Sequence, residues 1–510
     1  MKALKYIAGI CLALSFTACD DYLTQTSPDQ LTSDSYWRDK EDAESGMASV
    51  YSQLYFGDEW NFPEVKWPVE AYRQDDVDMG SDAQNYPNWV QLRNFSFNNG
   101  NSQFTMYWRY YYRGVGFANQ VITKVEQMTD EQLATEQMDG ATARKYLLAE
   151  AHFLRGFYNM QLLLNWEKIV LRDTYITSSE QLDKGLSERP ETWDFIVNDF
   201  KEGTAMPQTR NSEEKGRATS GAAYAYLGYA YLTMASEQAD KKNEYLNAAV
   251  EAFNNVKGYE LDRNFLSMFD GTNKNGKESI FEIQFSLSSA NGAWYRAYLH
   301  RWIGTSTFGG WDEIAPSELL MNEFKKEGKL NNGLYDARLY ASVFFNDPYF
   351  NDGTGKVYGY DWNDWVSGEE RDKVLQFRKL MPSTYEGLSQ RQTDTNVPLM
   401  RYANVLLMKA EALNDLGRTS EAIPLINQVR EVHGNMPAMT GTTQSEVQAQ
   451  IEHERMIEFP LENYRWYDLR RWGKTAQAMT AAGRSGFDQS KLFYPIPQTE
   501  LNSNAALKQK

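Results

Sequence analysis

The sequence predicts a mainly α-helical fold, in which a scaffold built partly of tetratricopeptide-like helix pairs carries a loop-rich region with short β-strands. Three observations lead to this prediction. Apolar side chains recur at helical spacing in several long segments. Two pairs of these segments combine small and large residues, as stacked helical hairpins do. One short segment alternates between polar and apolar residues, as strands do.

Three helices are predicted before residue 165. The first covers Asp39 to Tyr55, where Ala43, Met47, Val50, Tyr51 and Leu54 follow helical spacing. The second begins near Met106 and aligns Trp108, Tyr111, Val115 and Ala118. The third extends from Thr142 to about Leu164 and has the most regular stripe, formed by Leu147, Ala151, Leu154, Tyr158 and Leu162.

Two helical hairpins are predicted farther along the chain. The first joins Thr219–Ala235 to Tyr245–Val256, and Gly228 marks a point where another backbone could approach closely. The second is more regular, with apolar residues from Ala410 to Val429 on both sides of a turn at residues 416–418. Such repeats mediate contacts between molecules more often than catalysis.

The remaining segments lack helical spacing. Between Phe56 and Phe104 the composition shifts to Asp, Asn, Gly and Trp, which predicts long loops. Residues Glu278 to Phe285 alternate and predict a short strand. From about Ser286 to Thr395 the chain is again loop-rich, and its scattered Trp and Tyr argue against disorder. A connection of this length is usually functional, so it is a candidate binding region.

The N-terminus has the features of a secretory signal. Lys2 and Lys5 precede an apolar stretch that is too short to span a membrane, and Ser15-Phe-Thr-Ala-Cys19 follows it. This ending resembles a bacterial lipobox, which predicts a signal peptide over residues 1–18 and lipidation of Cys19. The alternative is an ordinary secreted protein that is cleaved near Ala18. Asp20 and Asp21 resemble the surface-export tag of lipoproteins from Bacteroidota.

Composition excludes several classes of protein. The chain carries 69 acidic and 52 basic residues, a net charge of −17, and no cluster of Lys and Arg, so nucleic acid is not an expected partner. The two cysteines lie within the signal and at its cleavage point. The mature chain is therefore expected to have no disulfide, no Cys-bound metal and no thiol nucleophile.

Several sequence blocks, in their order along the chain, resemble the SusD/RagB family of surface lipoproteins. His152, Asn404 and residues 166–170 depart from the family pattern, but they lie in or beside predicted helices. The blocks are Cys19-Asp-Asp-Tyr-Leu23, Tyr36-Trp37, Ala149-Glu-Ala-His-Phe-Leu-Arg-Gly-Phe-Tyr158, Arg401-Tyr-Ala-Asn-Val-Leu-Leu-Met-Lys-Ala-Glu-Ala412, Glu454-Arg455, Glu458, Arg465-Trp-Tyr-Asp-Leu-Arg-Arg-Trp472 and Tyr494-Pro-Ile-Pro497.

The resemblance implies a SusD-like, right-handed helical scaffold that caps a SusC-like TonB-dependent transporter and holds oligosaccharides in a loop-built site. It also implies an outer-membrane location through the lipid on Cys19, and no cofactor. We therefore divide the chain into the signal peptide 1–18, an N-terminal helical region 19–285 with binding loops at 56–104, a loop-rich binding region 286–395 and a C-terminal helical region 396–510.

No catalytic or metal motif stands out. The four histidines lack the spacing of metal ligands, and G-x-S-x-G and Walker-type loops are missing from the sequence. Glu454 and Glu458 lie four residues apart on one predicted helix, whereas a glycosidase needs two carboxylates that face each other across a sugar. With Arg455, Arg465, Arg470 and Arg471 nearby, we interpret these glutamates as part of a buried ion-pair network.

Three loop stretches combine aromatic rings with polar side chains, a combination that is typical of glycan-binding sites. A Trp or Tyr ring stacks on the C–H face of a sugar, and Asp, Asn or Arg bonds its hydroxyl groups. Any single aromatic residue could instead belong to the core or to a transporter interface. The candidate ligand-binding residues are Trp67, Tyr72, Asp75, Tyr86, Trp89, Trp294, Tyr295, Arg296, Trp362, Trp365 and Arg371.

The leading hypothesis is a non-catalytic glycan-binding lipoprotein that serves a SusC-like transporter. A second hypothesis keeps this architecture but makes the ligand a peptide, as the RagB branch of the family suggests. A hydrolase is a third hypothesis, and the missing acid/base pair opposes it.

Overall fold

The computed structural model describes residues 36–56, 61–288, 296–351 and 355–508. Helices hold 56% of the structure and strands hold 6%, so the predicted mainly α class is confirmed. The predicted signal peptide and Cys19 lie outside the described residues. No helix in the described ranges combines the length and the apolar character that a bilayer-spanning segment needs.

The N-terminal half contains nine helices within the described residues. They are α1 (Lys40–Ser52), α2 (Asn61–Glu70), α3 (Pro87–Arg93), α4 (Ser102–Gln127), α5 (Asp130–Leu133), α6 (Gly140–Asn165), α7 (Arg189–Gly203), α8 (Ser220–Glu237) and α9 (Lys242–Asn254). Side chains cap several of them: Asp139 accepts a hydrogen bond from the Thr142 amide at the start of α6, and Thr219 accepts one from the Ala222 amide at the start of α8.

In the described part of the chain after α9, five short helices come first and six later helices follow. The short helices are α10 (Leu299–Ile303), α11 (Glu318–Lys325), α12 (Ala337–Ser342), α13 (Trp362–Trp365) and α14 (Tyr385–Ser389). The later helices are α15 (Tyr402–Asp415), α16 (Thr419–Gly434), α17 (Gln444–Glu458), α18 (Arg465–Arg471), α19 (Thr475–Ala481) and α20 (Gln498–Ser503). The strands are β1 (Val77–Met79), β2 (Ser279–Ile283), β3 (Ile314–Pro316), β4 (Val343–Phe344), β5 (Gln376–Phe377) and β6 (Val397–Arg401).

The long helices pack in a continuous series. Helix α4 packs on α6, α6 on α7, α7 on α8 and α8 on α9. Helix α9 then packs on α15, which pairs with α16 and α17. Both predicted hairpins are therefore present, and the contact between α9 and α15 joins the two halves of the scaffold. At Gly228 we expected another backbone segment to approach closely. The nearest neighbour is instead a side chain, since a Cβ added at Gly228 would lie 2.4 Å from the Phe253 ring.

The loop-rich region leaves and rejoins this scaffold at one place. Strands β2 and β6 pair antiparallel, with Ser279 opposite Arg401 and Ile283 opposite Val397. These strands lie at the two ends of the region between residues 283 and 397, so their pairing closes it at its base. Short helices and strands lie inside it, and the structure is therefore more ordered there than the composition predicts.

The prediction of long loops between Phe56 and Phe104 is wrong. This stretch contains α2, α3 and β1, and β1 pairs with β3 of the loop-rich region, with Asp78 opposite Ala315. Helical spacing is hard to recognise in α2 because its polar residues are buried: Lys66 and Glu70 pair at 2.7 Å with almost no exposure. The stretch is therefore a buried part of the fold that holds one edge of the loop-rich region.

Candidate functional site

Tyr86 is the outermost ring of a column of stacked aromatic side chains. It lies directly before α3, and its ring stacks on Trp89 with centroids 4.1 Å apart and planes at 30°. Trp89 packs on Trp302 of α10 at 5.7 Å, and Trp302 contacts Tyr72 and Trp67 behind it. Tyr86 is 42% exposed, whereas Trp89 is 3% exposed and the rings behind it are fully buried. We call these five residues the Tyr86 stack. The ring of Tyr86 faces solvent, and the buried rings behind it support it.

The pairing of β1 with β3 places carboxylates beside this stack. The backbone continues the pairing beyond the strands, since the amides of Gly80 and Asp82 donate to the carbonyl oxygens of Glu313 and Asp312 at 3.1 and 3.2 Å. The Ser81 amide and hydroxyl both donate to the Asp312 carboxylate, at 2.9 and 2.6 Å. Asp82 and Asp312 are partly exposed, so their carboxylate oxygens can accept hydrogen bonds from hydroxyl groups of a ligand.

Glu313 is buried beside other acidic groups that disfavour its ionised form. Burial, followed by the negative charges of Asp82, Glu64 and Asp312, raises the pKa of Glu313 to about 8. A hydrogen bond with Asp82 favours the protonated form further. Burial, followed by the negative charges of Glu313, Asp82 and Glu64, also raises the pKa of Tyr86. At neutral pH the group therefore contains both a carboxylic acid, which donates hydrogen bonds, and carboxylates, which accept them.

Replacing Glu313 with glutamine is expected to flatten the dependence of stability on pH. A carboxyl group with a raised pKa in the folded state binds more protons there than in the unfolded chain, so stability falls as pH rises from about 4.5 towards 8. Glutamine cannot ionise, so E313Q does not lose stability in this way. At pH 8 we expect its free energy of unfolding to exceed that of wild type by on the order of 1–2 kcal/mol, a small value because solvent screens part of the repulsion. Urea unfolding at pH 5 and pH 8 measures this. An equal difference between the two proteins at both pH values would contradict it.

A second group of exposed rings surrounds Trp365. Its ring stacks on the buried Phe308 with centroids 4.8 Å apart and planes at 27°. Tyr360 and Tyr385 each lie 6.1 Å from Trp365, and each is 55% exposed. The Trp365 indole N–H donates to the Val357 carbonyl oxygen at 2.8 Å, which fixes the ring. We call Phe308, Tyr360, Trp365 and Tyr385 the Trp365 cluster.

One folded segment supports both aromatic groups. Residues 298–313 contain Trp302 of the Tyr86 stack and Phe308 of the Trp365 cluster. In sequence these two rings lie between Tyr298 and Trp311, which stack on each other at 5.5 Å. The segment folds back on itself, because the amide of Asp312 donates to the carbonyl oxygen of Gly304 at 2.7 Å. Gly310 is required at this turn, since an added Cβ would lie 1.9 Å from the Gly304 oxygen.

The structure distributes the predicted ligand-binding residues between surface and interior. Tyr86 and Trp365 are at the surface, and Trp89 supports Tyr86 directly. Arg296 and Arg371 are partly exposed; a guanidinium N–H of Arg296 lies 3.4 Å from the Gln392 side-chain oxygen. Trp294 and Tyr295 lie outside the described residues. Ligand contact stays a prediction for every residue in this set.

Four predicted residues are in the interior, which corrects their assignment as surface contacts. Trp67, Tyr72 and Trp362 are buried: the first two pack on Trp302, and Trp362 packs on Phe308 inside the loop-rich region. Asp75 is also buried, and its two carboxylate oxygens pair with Arg465 at 2.7 and 2.9 Å. These side chains support the surface from below.

Sequence reasoning did not single out Trp302, Phe308, Asp312, Glu313 and Tyr385 as site residues. A local signal was available for all of these residues except Tyr385, because they surround Gly304, Gly309 and Gly310. Glycines next to aromatic and acidic residues often indicate a tight turn at a binding site. Tyr385 carries no such local signal. It reaches Trp365 only through the tertiary fold.

Glu454 and Glu458 form the predicted buried ion-pair network, although with other partners than expected. Glu458 pairs with Arg401 and His433 at 2.9 Å and with Arg338 at 3.1 Å, and Glu454 pairs with Arg338 at 2.7 Å. All these side chains are nearly or fully buried. Among the arginines named from sequence, Arg455 pairs with Asp468, Arg465 with Asp75 and Arg471 with Glu411 and Asp468, while Arg470 donates to the carbonyl oxygen of Leu164.

His433 holds two of these carboxylates together. Its ring nitrogens lie 2.9 Å from Glu278 and 2.9 Å from Glu458, an arrangement that could also suit a metal ion. Burial alone would lower the pKa of His433, but Glu458 and Glu278 outweigh burial and raise the pKa to about 9. A protonated imidazole has no free lone pair for a metal, so the group is better explained as an ion-pair network.

Two family models match the chain in succession. The model described as "Starch-binding associating with outer membrane" matches residues 21–232, and the model described as "SusD family" matches residues 277–510. Together they span most of the sequence. The first match ends within α8 and the second begins just before β2, so α9 lies between them.

Individual proteins show the same similarity over their full lengths. SusD-like protein P2 of Formosa agariphila is 26% identical, over 99% of this chain and 99% of its own. A SusD superfamily protein from Bacteroides vulgatus has a crystal structure that covers 92% of this chain and 98% of its own, with 25% identity and a TM-score of 0.79. A laminarin-binding SusD-like protein is similar at 22% identity and a TM-score of 0.69, covering 92% of this chain and 98% of its own.

Proposed function

Because the chain belongs to the SusD/RagB family, we propose that it is a non-catalytic, cell-surface protein that binds a glycan and delivers it to a SusC-like TonB-dependent transporter in the outer membrane. The Tyr86 stack carries this proposal. The exposed ring of Tyr86 can stack on the C–H face of a sugar, and the carboxylates beside it can accept hydrogen bonds from the hydroxyl groups of that sugar. A SusD-like protein of the same fold binds laminarin, which supports a glycan as the ligand.

Each part of the surface has a role in this proposal. The C–H face of a sugar stacks on Tyr86, while Asp82 and Asp312 accept hydrogen bonds from hydroxyl groups at its rim. The Trp365 cluster supplies a further pair of exposed rings, Tyr360 and Tyr385, for another part of an extended oligosaccharide. Since residues 298–313 support both groups, their relative placement is fixed before the ligand arrives.

A hydrolytic reaction fits these carboxylates poorly. A glycosidase needs a protonated acid that reaches the glycosidic oxygen and a second carboxylate across the sugar. Glu313, whose pKa is raised to about 8, is the candidate acid, but it is 2% exposed and therefore lies beneath the surface that a sugar would contact. The buried pair Glu454 and Glu458 is neutralised by Arg338, Arg401, Arg430 and His433. We therefore propose that the glycan leaves unmodified.

Calorimetric titration of the protein lacking residues 1–19 tests the proposed function. Laminarin-, starch- and cellulose-derived oligosaccharides serve as the panel, and the glycan is analysed after prolonged incubation. We expect binding of at least one glycan and its recovery without new reducing ends. Absence of binding to the whole panel, together with a peptide found by mass spectrometry in the purified protein, would favour the RagB-like peptide alternative. Sustained release of reducing ends would favour a hydrolase.

Replacing Cys19 with alanine is expected to release the protein from the membrane without changing its fold. Acyl chains on Cys19 are the proposed attachment, and each buried CH₂ group contributes about 0.8 kcal/mol to membrane binding. Fractionation of cells that express wild type and C19A, followed by protease treatment of intact cells, measures attachment and surface exposure. Ser15→Ala is a matched control that leaves the lipidated residue in place. Retention of C19A in the outer membrane would contradict the prediction.

A further inference from the structure

A large open cleft lies on the scaffold, apart from the residues of the Tyr86 stack and the Trp365 cluster. Its volume is about 790 Å³, within the range of roughly 300–1,000 Å³ typical of ligand sites. One face of α4 forms its floor, residues 172–176 form one wall, and α20 forms another. The aromatic residues Trp108, Tyr112, Phe117 and Tyr175 line it, together with Arg109, Arg113 and Arg172.

Hydrogen bonds hold the walls of this cleft in place. The Tyr112 hydroxyl donates to the Val170 carbonyl oxygen at 2.9 Å and accepts from the Val170 amide at 2.8 Å. The buried Asn119 amide group donates to the carbonyl oxygens of Arg172 and Thr174, at 3.0 and 3.1 Å. The indole N–H of Trp108 points to the Glu500 carboxylate of α20 at 3.4 Å. The cleft is therefore formed in advance of any ligand.

The arginines of the cleft leave positive charge without a carboxylate partner. Arg109 and Arg113 are exposed, lie one helical turn apart, and place their guanidinium groups 5.1 and 5.6 Å from the Tyr110 ring. Within the ranges that the structure describes, neither forms an ion pair. Arg172 donates to the carbonyl oxygens of Gln181 and Leu182. Like charges at this spacing repel each other, and an anion between them would relieve the repulsion.

Gly116 leaves open space at its position in the lining of the cleft. This exposed glycine lies on the same face of α4, and a Cβ added to it would meet no heavy atom within 4 Å. A side chain at this position would therefore enter the cleft without striking the protein. The position offers a way to block the cleft while leaving its walls intact.

We propose that this cleft is a second carbohydrate site, selective for sugars that carry a carboxylate or a sulfate group. Arg109 and Arg113 bind the anionic group, since guanidinium groups pair with such oxyanions through two hydrogen bonds. The rings of Tyr112 and Tyr175 contact the body of the sugar. The proposal rests on the proposed function, to which it adds an acidic class of ligand in a protein whose own net charge is −17.

Two pairs of probes test the charge requirement. Tetragalacturonate is compared with its methyl ester, and a sulfated carrageenan tetrasaccharide with its desulfated form, so that the arms separate uronate from sulfate. We expect at least one charged probe to bind wild type at least tenfold more tightly than its neutral counterpart. This preference should shrink as the salt concentration rises, because ions screen an exposed charge pair.

Three variants locate the binding. Arg109→Gln combined with Arg113→Gln is expected to remove the tenfold preference, and Gly116→Trp is expected to abolish binding of the charged probe by filling the cleft. Arg263→Gln is the matched control, because it removes the same charge from an exposed arginine outside the cleft, and it should leave that binding within twofold of wild type. Circular dichroism and thermal unfolding check that each variant is folded.

Several results would overturn the proposal. One is equal binding of charged and neutral probes, or binding of none of the charged probes. Another is charged-probe binding that survives Gly116→Trp or disappears in Arg263→Gln. A third is unchanged probe binding in the cleft variants together with loss of a co-purifying transporter, which would make the cleft a protein-docking surface. Binding of neutral glycans to Gly116→Trp distinguishes failure of this proposal from failure of the proposed function.

Discussion

Replacement of Arg401 with methionine is expected to destabilise the fold by roughly 3–5 kcal/mol, because it removes a cation that three buried carboxylates share and leaves the network with excess negative charge. Arg401 pairs with Glu278 at 2.6 Å, with Glu458 at 2.9 Å and with Glu462 at 2.8 Å, and all four side chains are almost completely buried. Methionine fills a similar volume, so the loss comes from charge more than from packing. Arg401 also ends β6, at the base of the loop-rich region.

Urea unfolding of R401M measures this loss, and Arg418→Met is the matched control. Arg418 pairs with Glu421, but both side chains are about half exposed, and such surface pairs contribute about 0–1 kcal/mol. The deficit of R401M should also shrink as the pH falls, because carboxyl groups that have lost their cation take up protons at higher pH than they do in wild type. A deficit no larger than that of Arg418→Met would contradict the assigned role of the network.

Replacing Tyr86 with alanine is expected to weaken glycan binding about thirtyfold, which corresponds to about 2 kcal/mol. Tyr86 is the one exposed ring of its stack, and Trp89 supports it at 4.1 Å. Removal of the ring takes away the surface on which the sugar stacks, whereas the buried column remains. Calorimetric titration with the glycan found in the panel measures the change in affinity.

Two further variants identify the source of that loss. Tyr86→Phe keeps the ring and removes only the hydroxyl group, and we expect its affinity to stay within threefold of wild type. Tyr231→Ala removes another stacked tyrosine, which contacts Tyr245 between α8 and α9, and should leave affinity unchanged. Equal affinities for Tyr86→Ala and wild type would show that the ligand does not use the Tyr86 stack.

The sequence was a good guide to helices that have one buried face. Helix α6 was predicted from Thr142 to about Leu164 and extends over Gly140–Asn165, because its apolar stripe and the Asp139 cap are both local features. Helix α2 was missed for the opposite reason. Its polar residues are buried and paired with distant parts of the chain: Glu70 accepts hydrogen bonds from Tyr107 and Asn463. Such partners are invisible in a local pattern, which then resembles a loop.

The candidate site could be predicted in composition but not in arrangement. Aromatic and polar residues in irregular stretches pointed to Tyr86, Trp89 and Trp365. Exposure separates Tyr86 and Trp365 from the buried Trp67, Trp89 and Trp362, and this exposure depends on the pairing of β1 with β3 and on the folded segment 298–313. The raised pKa of Glu313 likewise depends on Asp82 and Glu64, which are far from it in sequence.

A crystal structure of the protein with the glycan selected by titration tests the central claim most directly. The claim is that a rigid helical scaffold presents Tyr86 as a platform for an unmodified sugar. We predict a sugar ring stacked on Tyr86, with hydroxyl groups within hydrogen-bond distance of Asp82 or Asp312 and every glycosidic bond intact. An occupied site elsewhere on the molecule, with the Tyr86 ring bare, would contradict the account.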